Sequence, residues 1–106
     1  MWRFAGVFDG CTGITSIPAG LFDNNPLVTD FRFAFSNCTG ITSIPAGLFD
    51  NNPLVTEFGF AFSNCTGITS AVPPLWTTHA SALHAGCFNN VINATNYADA
   101  VANGWN

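Results

Sequence analysis

A near-identical internal repeat constrains this chain more than any other feature of its sequence. Residues 11–37 and residues 38–64 align over 27 positions, of which 25 are identical. Only two aligned pairs differ, Asp30/Glu57 and Arg32/Gly59. A unit of this length is too short to bury its own apolar side chains, so successive units are expected to stack. Residues one repeat apart are therefore expected to be neighbours in space.

The composition of each repeat favours short strands over helices. Segments 41–44 and 55–60 are rich in β-branched and aromatic residues, and Phe31, Phe33 and Phe35 alternate with other residues. Strands stacked at about 4.8 Å would place each side chain above its counterpart in the next repeat. The sequence thus predicts a leucine-rich-repeat-like solenoid, made mainly of β coils of 27 residues with a short α-helical C-terminal cap.

The whole chain, residues 1–106, is predicted to form one domain. Its coils are expected at about 4–30, 31–57 and 58–76, followed by a C-terminal cap at 77–106 with helices near 77–86 and 96–104. The first coil begins in mid-repeat at Trp2 and Phe4, without a cap. An open coil exposes apolar side chains and strand edges, so these two residues are predicted to form an oligomer edge. The chain is then either part of a longer array or a homodimer joined through this coil.

The repeat resembles a known family. Residues 34–45, AFSNCTGITSIP, and residues 61–68, AFSNCTGI, are similar to the A-F-x-x-C-x-x-L-x-x-I-P signature of BspA-like leucine-rich repeats. The resemblance covers about residues 4–76, with Ile in place of the most common Leu. It implies a curved solenoid with a parallel sheet, a role in adhesion or ligand recognition, and a bacterial or phage surface as the location. An extracellular, cell-surface or virion location is therefore expected, although the chain has no signal peptide.

The charge balance argues against two classes of partner. The chain carries two cationic side chains, Arg3 and Arg32, and a net charge of −4. Binding to nucleic acid needs clustered Lys or Arg, so we expect no nucleic-acid partner. No apolar run approaches the roughly 18 residues that span a membrane, so no membrane insertion is expected.

A polar face is the predicted contact surface for a protein or glycan partner. The repeat would align threonine and serine side chains along this face, beside the charged residues at the positions where the repeats differ. The predicted partner-binding residues are Thr15, Thr42, Thr69, Ser16, Ser43, Ser70, Asp30, Arg32 and Glu57.

The phenylalanines are expected mainly in the core. Phe8, Phe35 and Phe62 would stack, and Phe22 and Phe49 would continue to Trp76. Phe33 and Phe60 are also expected inside, with one alternative: a column of exposed rings would form a flat strip that binds sugars or proteins.

The reactive side chains do not indicate catalysis or a cofactor. Cys11, Cys38 and Cys65 recur at the repeat spacing, and a linear column cannot supply the tetrahedral ligands of zinc. Of the candidate ligands His79, His84 and Cys87, the two histidines would lie about 140° apart on one helix, which does not suit a shared metal. We therefore expect no metal, no cofactor and no enzymatic activity.

The predicted function is a non-enzymatic recognition or adhesion module. One alternative is a structural or assembly repeat of a phage tail or bacterial surface fibre, because near-identical repeats suit length variation. A hydrolase is a further alternative, since carboxylates of Asp30 and Glu57 about 5 Å apart would suit a retaining glycosidase.

Overall fold

Regular secondary structure is sparse in the computed structural model, which describes residues 2–106. Strand β1 is Trp2–Arg3 and strand β2 is Val28–Asp30, and the two pair in parallel. Helix α1 is Leu75–Thr78 and helix α2 is Tyr97–Ala102. The radius of gyration is 12.1 Å, close to the value of about 13 Å expected for a compact domain of this length.

The predicted mainly β solenoid is wrong, because the chain folds as a small compact globule in which turns predominate. Segment 41–44 forms no strand, and segment 55–60 contributes only isolated bridges at Glu57. The segment from Phe31 onward forms successive turns. In each turn an N–H group donates to the carbonyl oxygen three residues earlier, in the pairs Ala34–Phe31, Ser36–Phe33 and Cys38–Phe35.

Two left-handed residues explain why this segment is not a strand. Phe33 has φ of 58° and Asn37 has φ of 62°, far from the negative φ of extended backbone. The turns also occupy carbonyl oxygens that a strand would offer to its neighbour. The predicted period of two is therefore wrong for backbone conformation and also for burial, since Phe33 is exposed whereas Ala34 is buried.

Backbone hydrogen bonds nevertheless join adjacent repeats. At the first interface, four N–H groups donate to four carbonyl oxygens, each at 2.8 Å, in the pairs Phe4–Asp30, Gly6–Arg32, Phe8–Ala34 and Gly10–Ser36. The next interface repeats this set from Phe31 to Asn37, and the third repeats it from Phe58 to Asn64, at 2.7–3.0 Å. We call these contacts the inter-repeat bonds.

The core is one cluster of buried hydrophobic side chains with aromatic columns through it. Phe8, Phe35, Phe62 and Phe88 form one column, with successive ring centroids 5.2, 5.2 and 5.6 Å apart. Phe22 stacks on Phe49 at 5.8 Å, as predicted. Trp76 does not extend that pair as expected, because its ring meets Phe88 edge-on at 6.3 Å.

The C-terminal segment covers the last repeat. The carbonyl oxygen of Trp105 accepts a hydrogen bond from the N–H of Phe88 at 2.9 Å, and the Trp105 ring stacks on His84 at 4.2 Å. The predicted helix near 77–86 is wrong, since α1 ends at Thr78 and turns follow. The predicted helix near 96–104 is confirmed in shorter form as α2, which precedes Gly104 at φ 76°.

Glycine substitutions should reveal the close approach between repeats. A Cβ on Gly40 would lie 2.6 Å from the carbonyl oxygen of Thr12, and one on Gly67 would meet that of Thr39. We expect Gly40→Ala and Gly67→Ala to lower the free energy of unfolding by about 1–3 kcal/mol, measured by urea denaturation. Gly13→Ala is the matched control, because a Cβ there meets nothing within 4 Å. Equal effects at all three positions would contradict this packing.

Candidate functional site

The two positions at which the repeats differ form one ionic cluster. The Arg32 guanidinium donates to the Asp30 carboxylate, with Nη2 2.9 Å from Oδ2 and Nε 3.1 Å from Oδ1. The backbone N–H of Arg32 donates to the same Oδ1 at 2.9 Å. Arg32 Nε also lies 3.4 Å from Oε2 of Glu57, one repeat from Asp30. The fourth differing residue, Gly59, lies beside this side chain, and a Cβ there would be in ordinary van der Waals contact with Arg32 Cγ at 3.7 Å.

Arg32 keeps the buried Asp30 ionised. Burial alone would raise the pKa of the Asp30 carboxyl, but the side-chain and backbone hydrogen bonds from Arg32, helped by the charges of Arg32 and Arg3, lower it overall. In turn, the hydrogen bond and charge of Asp30, with the charge of Glu57, raise the pKa of Arg32. The three predicted charged residues therefore lie together, and their charges are largely satisfied by one another.

This cluster does not favour the hydrolase alternative. A retaining glycosidase needs one carboxyl with a raised pKa, so that it can donate a proton at neutral pH. Asp30 has the opposite shift, and Arg32 lies against both carboxylates.

The predicted threonine and serine residues form a separate group on the surface. Thr15, Thr42 and Thr69 are exposed and aligned, with the N–H of Thr42 donating to Thr15 at 3.3 Å and the N–H of Thr69 donating to Thr42 at 3.0 Å. Ser16 and Ser43 are exposed, whereas Ser70 is half-buried. These residues and the ionic cluster are held by different hydrogen bonds, so the predicted polar face consists of two parts.

Phe33 and Phe60, which were expected in the core, form an exposed pair at the surface. Their side chains are 44% and 39% exposed, and their rings stack at 5.2 Å with an interplanar angle of 9°. Their φ angles are 58° and 55°. A left-handed backbone is rare for a bulky residue. The expectation that these two phenylalanines belong to the core is therefore wrong, because both rings are exposed, and the binding of sugars or proteins by such rings stays a prediction.

The left-handed conformation could have been predicted by aligning Phe33 and Phe60 with the glycines of the flanking units. Gly6 and Gly86 occupy the positions equivalent to Phe33 and Phe60 in the flanking units, and they have φ of 67° and 65°. The Phe60 ring covers Gly86, where an added Cβ would lie 2.5 Å from the ring. Nothing lies within 4 Å of a Cβ built on Gly6. Because Gly6 has no side chain, the face of the Phe33 ring that points away from Phe60 has no side chain over it in this column.

The predicted oligomer edge lies at the first repeat. Trp2 belongs to β1 and pairs with Val28 through the backbone. Phe4 is half-buried, with its ring 5.6 Å from that of Phe22 and 5.9 Å from that of Phe31.

The cysteines are free thiols within the stack of repeats. Cys38 donates to the carbonyl oxygen of Phe8, and Cys65 donates to that of Phe35, each at 3.0 Å. Burial raises the pKa of Cys38, raises that of Cys65 to about 12, and raises that of Cys87 strongly. Among residues 2–106, no group of three or more His, Cys, Asp or Glu side chains is placed to hold a metal ion.

Two comparisons of this chain, with protein-family models and with curated proteins, found no match. No protein-family model matches it, and no curated protein is significantly similar to it. The resemblance to BspA-like repeats consequently stays a prediction. Neither of the helices described here is long and apolar enough to cross a membrane.

Asp30 should make stability sensitive to acid. Its folded pKa lies below the ordinary value of 3.8, so its contribution is complete above that pH and disappears as the pH falls through the folded pKa. We expect the free energy of urea unfolding to fall more steeply below about pH 4 in the wild type than in Asp30→Asn. Parallel pH profiles for the two proteins would contradict the assigned role of Asp30.

Native-state alkylation should distinguish Cys11 from the other thiols. Cys11 is half-exposed, whereas Cys38, Cys65 and Cys87 are buried. The thiolate is the reactive form, and burial with a raised pKa suppresses it. Iodoacetamide followed by mass spectrometry should modify Cys11 first in the folded protein and all four cysteines in urea. Early modification of Cys65 in the folded protein would show that the stack is open there.

Proposed function

We propose that this protein is a non-enzymatic recognition module that binds a protein or glycan partner through its exposed aromatic pair. The observation that carries the proposal is the stacking of Phe33 and Phe60 at the surface, on left-handed backbone. An extracellular, cell-surface or virion location suits such a module and is part of the proposal.

Backbone strain supports a functional reason for these two residues. A left-handed conformation costs a residue with a side chain about 1–2 kcal/mol, whereas glycine adopts it without this cost. Glycine is present at both ends of the same column, at Gly6 and Gly86. A fold that needs only this backbone shape would be served by glycine throughout. The phenylalanine rings therefore offer something other than stability, and strained residues commonly lie at binding sites.

The shape of the pair suits a flat ligand. The ring planes of Phe33 and Phe60 differ by 9°, and Gly6 places no side chain over the outer face of Phe33. A sugar ring presents a flat face of C–H groups that packs against an aromatic ring, and an apolar protein side chain packs in the same way. Exposed apolar surface of this kind is typical of interaction sites.

The polar residues predicted to bind the partner are assigned different parts in this proposal. Arg32 and Glu57 lie near the aromatic pair along the chain, and the Arg32 side chain is 46% exposed, so it can still donate to a ligand from Nη1. Asp30 is buried and positions Arg32. The exposed threonines Thr15, Thr42 and Thr69 would contact only a partner large enough to reach a second part of the surface.

A structural or assembly role is the second candidate function. It is favoured by the 25 identical positions in 27, since a repeat that evolved to recognise one shape would be expected to diverge between copies. Ordered end-to-end filaments of the purified chain in electron micrographs would support it, and a chain that stays dispersed at high concentration would count against it.

The variant Phe33→Gly separates a binding role from a folding role. Relief of strain should roughly offset the stacking energy of about 0.5–1.5 kcal/mol, so the free energy of unfolding should change by less than about 1 kcal/mol. Phe35→Ala, two residues away in the core, should lose about 3–5 kcal/mol. A loss at Phe33→Gly as large as that at Phe35→Ala would mean that Phe33 is needed for folding.

Binding is measured on an array of glycans and on a panel of purified host surface proteins. A ligand retained by the wild type should be lost in Phe33→Gly and in Phe60→Gly. The control is the triple variant Thr15→Ala, Thr42→Ala and Thr69→Ala, which leaves the rings intact. If both glycine variants retain the ligand and the triple variant loses it, the binding site lies at the threonines. No ligand on either array would remove the support for recognition.

A further inference from the structure

Helix α2 ends in a turn that depends on Gly104. Its N–H donates to the carbonyl oxygen of Val101 at 3.0 Å, and the N–H of Trp105 donates to that of Ala100 at 2.8 Å. These two bonds form the Schellman motif, in which the residue after the helix cap is left-handed. Gly104 has a φ of 76°, which glycine adopts readily. The motif thus positions Trp105, which is 2% exposed.

The turn holds the cover of the last repeat in place. The carbonyl oxygen of Trp105 accepts the hydrogen bond from the N–H of Phe88, and its ring stacks on His84. Phe88 is the last ring of the column that includes Phe8. A change in the turn at residues 103–105 therefore reaches the end of the aromatic core.

The residue before this glycine is an asparagine, which makes the turn chemically labile. The backbone nitrogen of the following residue can attack the side-chain amide of an asparagine, and glycine hinders this attack least because it has no Cβ. Asn103 is the only asparagine in the sequence that is followed by glycine. Both residues of the pair are exposed, so water reaches them.

We propose that Asn103 is a site of spontaneous deamidation, which the folded turn restrains and whose products loosen the cover. The Gly104 nitrogen forms a bond to Asn103 Cγ, the Cγ–Nδ2 bond breaks, and ammonia leaves with the proton of the Gly104 N–H. Water then opens the five-membered imide at either carbonyl carbon. The product is aspartate or isoaspartate. This inference is independent of the proposed function, because it uses neither Phe33 nor Phe60.

The folded turn opposes the first step at both reacting nitrogens. The Gly104 N–H is bonded to Val101, and Asn103 Nδ2 donates to the carbonyl oxygen of Asp99 at 2.8 Å. Both hydrogen bonds must break before the imide can form. The reaction therefore needs a local opening of the turn, although the rest of the fold can stay intact.

Either product destabilises the turn. A carboxylate has no N–H to donate to the carbonyl oxygen of Asp99, which the Asn103 amide contacts. Its negative charge lies at the C-terminal end of α2 and four residues from the Asp99 carboxylate, and both placements are unfavourable. Isoaspartate also adds one carbon to the main chain, which shifts Trp105 relative to Phe88.

Mass spectrometry of the full chain measures the reaction. The protein is kept under reducing conditions at mildly alkaline pH, with and without urea, and its peptides are then mapped. In urea, Asn103 should deamidate faster than any other asparagine, and in the folded protein its rate should be at least about tenfold lower. Faster deamidation at another asparagine in urea, or equal rates at Asn103 with and without urea, would overturn the proposal.

Amide hydrogen exchange measures the effect on the cover. The Phe88 N–H should exchange at least about tenfold faster in the deamidated protein, and in Asn103→Asp, than in the fresh wild type. The Phe35 N–H, which donates to Ala61 inside the stack, should keep its rate.

Asn103→Gln, kept under the same conditions, is the matched control. It retains a side-chain amide, but its imide would be a six-membered ring, which forms far more slowly. Its Phe88 exchange should therefore stay constant with time. Unchanged Phe88 exchange in the deamidated wild type would contradict a loosened cover, and equal acceleration at Phe35 would mean that the whole fold opens instead.

Discussion

The division of backbone amides between two kinds of hydrogen bond is the constraint on which this fold depends. Within each segment such as 31–38, alternate N–H groups donate to the next repeat, and those between them close turns or cap on Asp30. Every polar group of a buried backbone needs a partner, so both sets must form together. The alternation goes with left-handed backbone at two places in each of these segments, where glycine and asparagine are found together with Phe33 and Phe60.

The same constraint makes the repeats nearly interchangeable, and only the ionic cluster distinguishes neighbouring copies. With 25 of 27 positions identical, most inter-repeat contacts would form again if one repeat took the place of another. Arg32 contacts both Asp30 and Glu57, whereas the equivalent residue of the next repeat is Gly59, which has no side chain to make these contacts. A buried charge that loses its partner is costly. The two differing positions can therefore specify the register of the stack as well as contribute to the surface.

The sequence allowed contacts to be predicted better than backbone conformation. The period of 27 placed Phe35 beneath Phe8 and Phe49 beside Phe22, because identical side chains stack whatever the backbone between them does. It did not distinguish strands from turns: the alternation of phenylalanines from Phe31 to Phe35 suggested a strand, whereas the turns bury Ala34 and expose Phe33. In the site, Asp30, Arg32 and Glu57 were expected near one another and are in contact. The burial of Asp30 and the exposure of Phe33 depend on turns with left-handed residues. Single-residue propensities do not predict a left-handed conformation for phenylalanine.

Backbone conformation at Phe33 and Phe60 tests this account most directly. Left-handed residues give a strong NOE between their own amide and Hα protons, whereas extended residues give a weak one and a strong NOE to the next amide. We expect strong intraresidue NOEs at both phenylalanines, together with contacts between the two rings. Weak intraresidue NOEs with strong sequential ones from 31 to 37 would mean that this segment is a strand, and the account of the fold and of its exposed aromatic pair would be wrong.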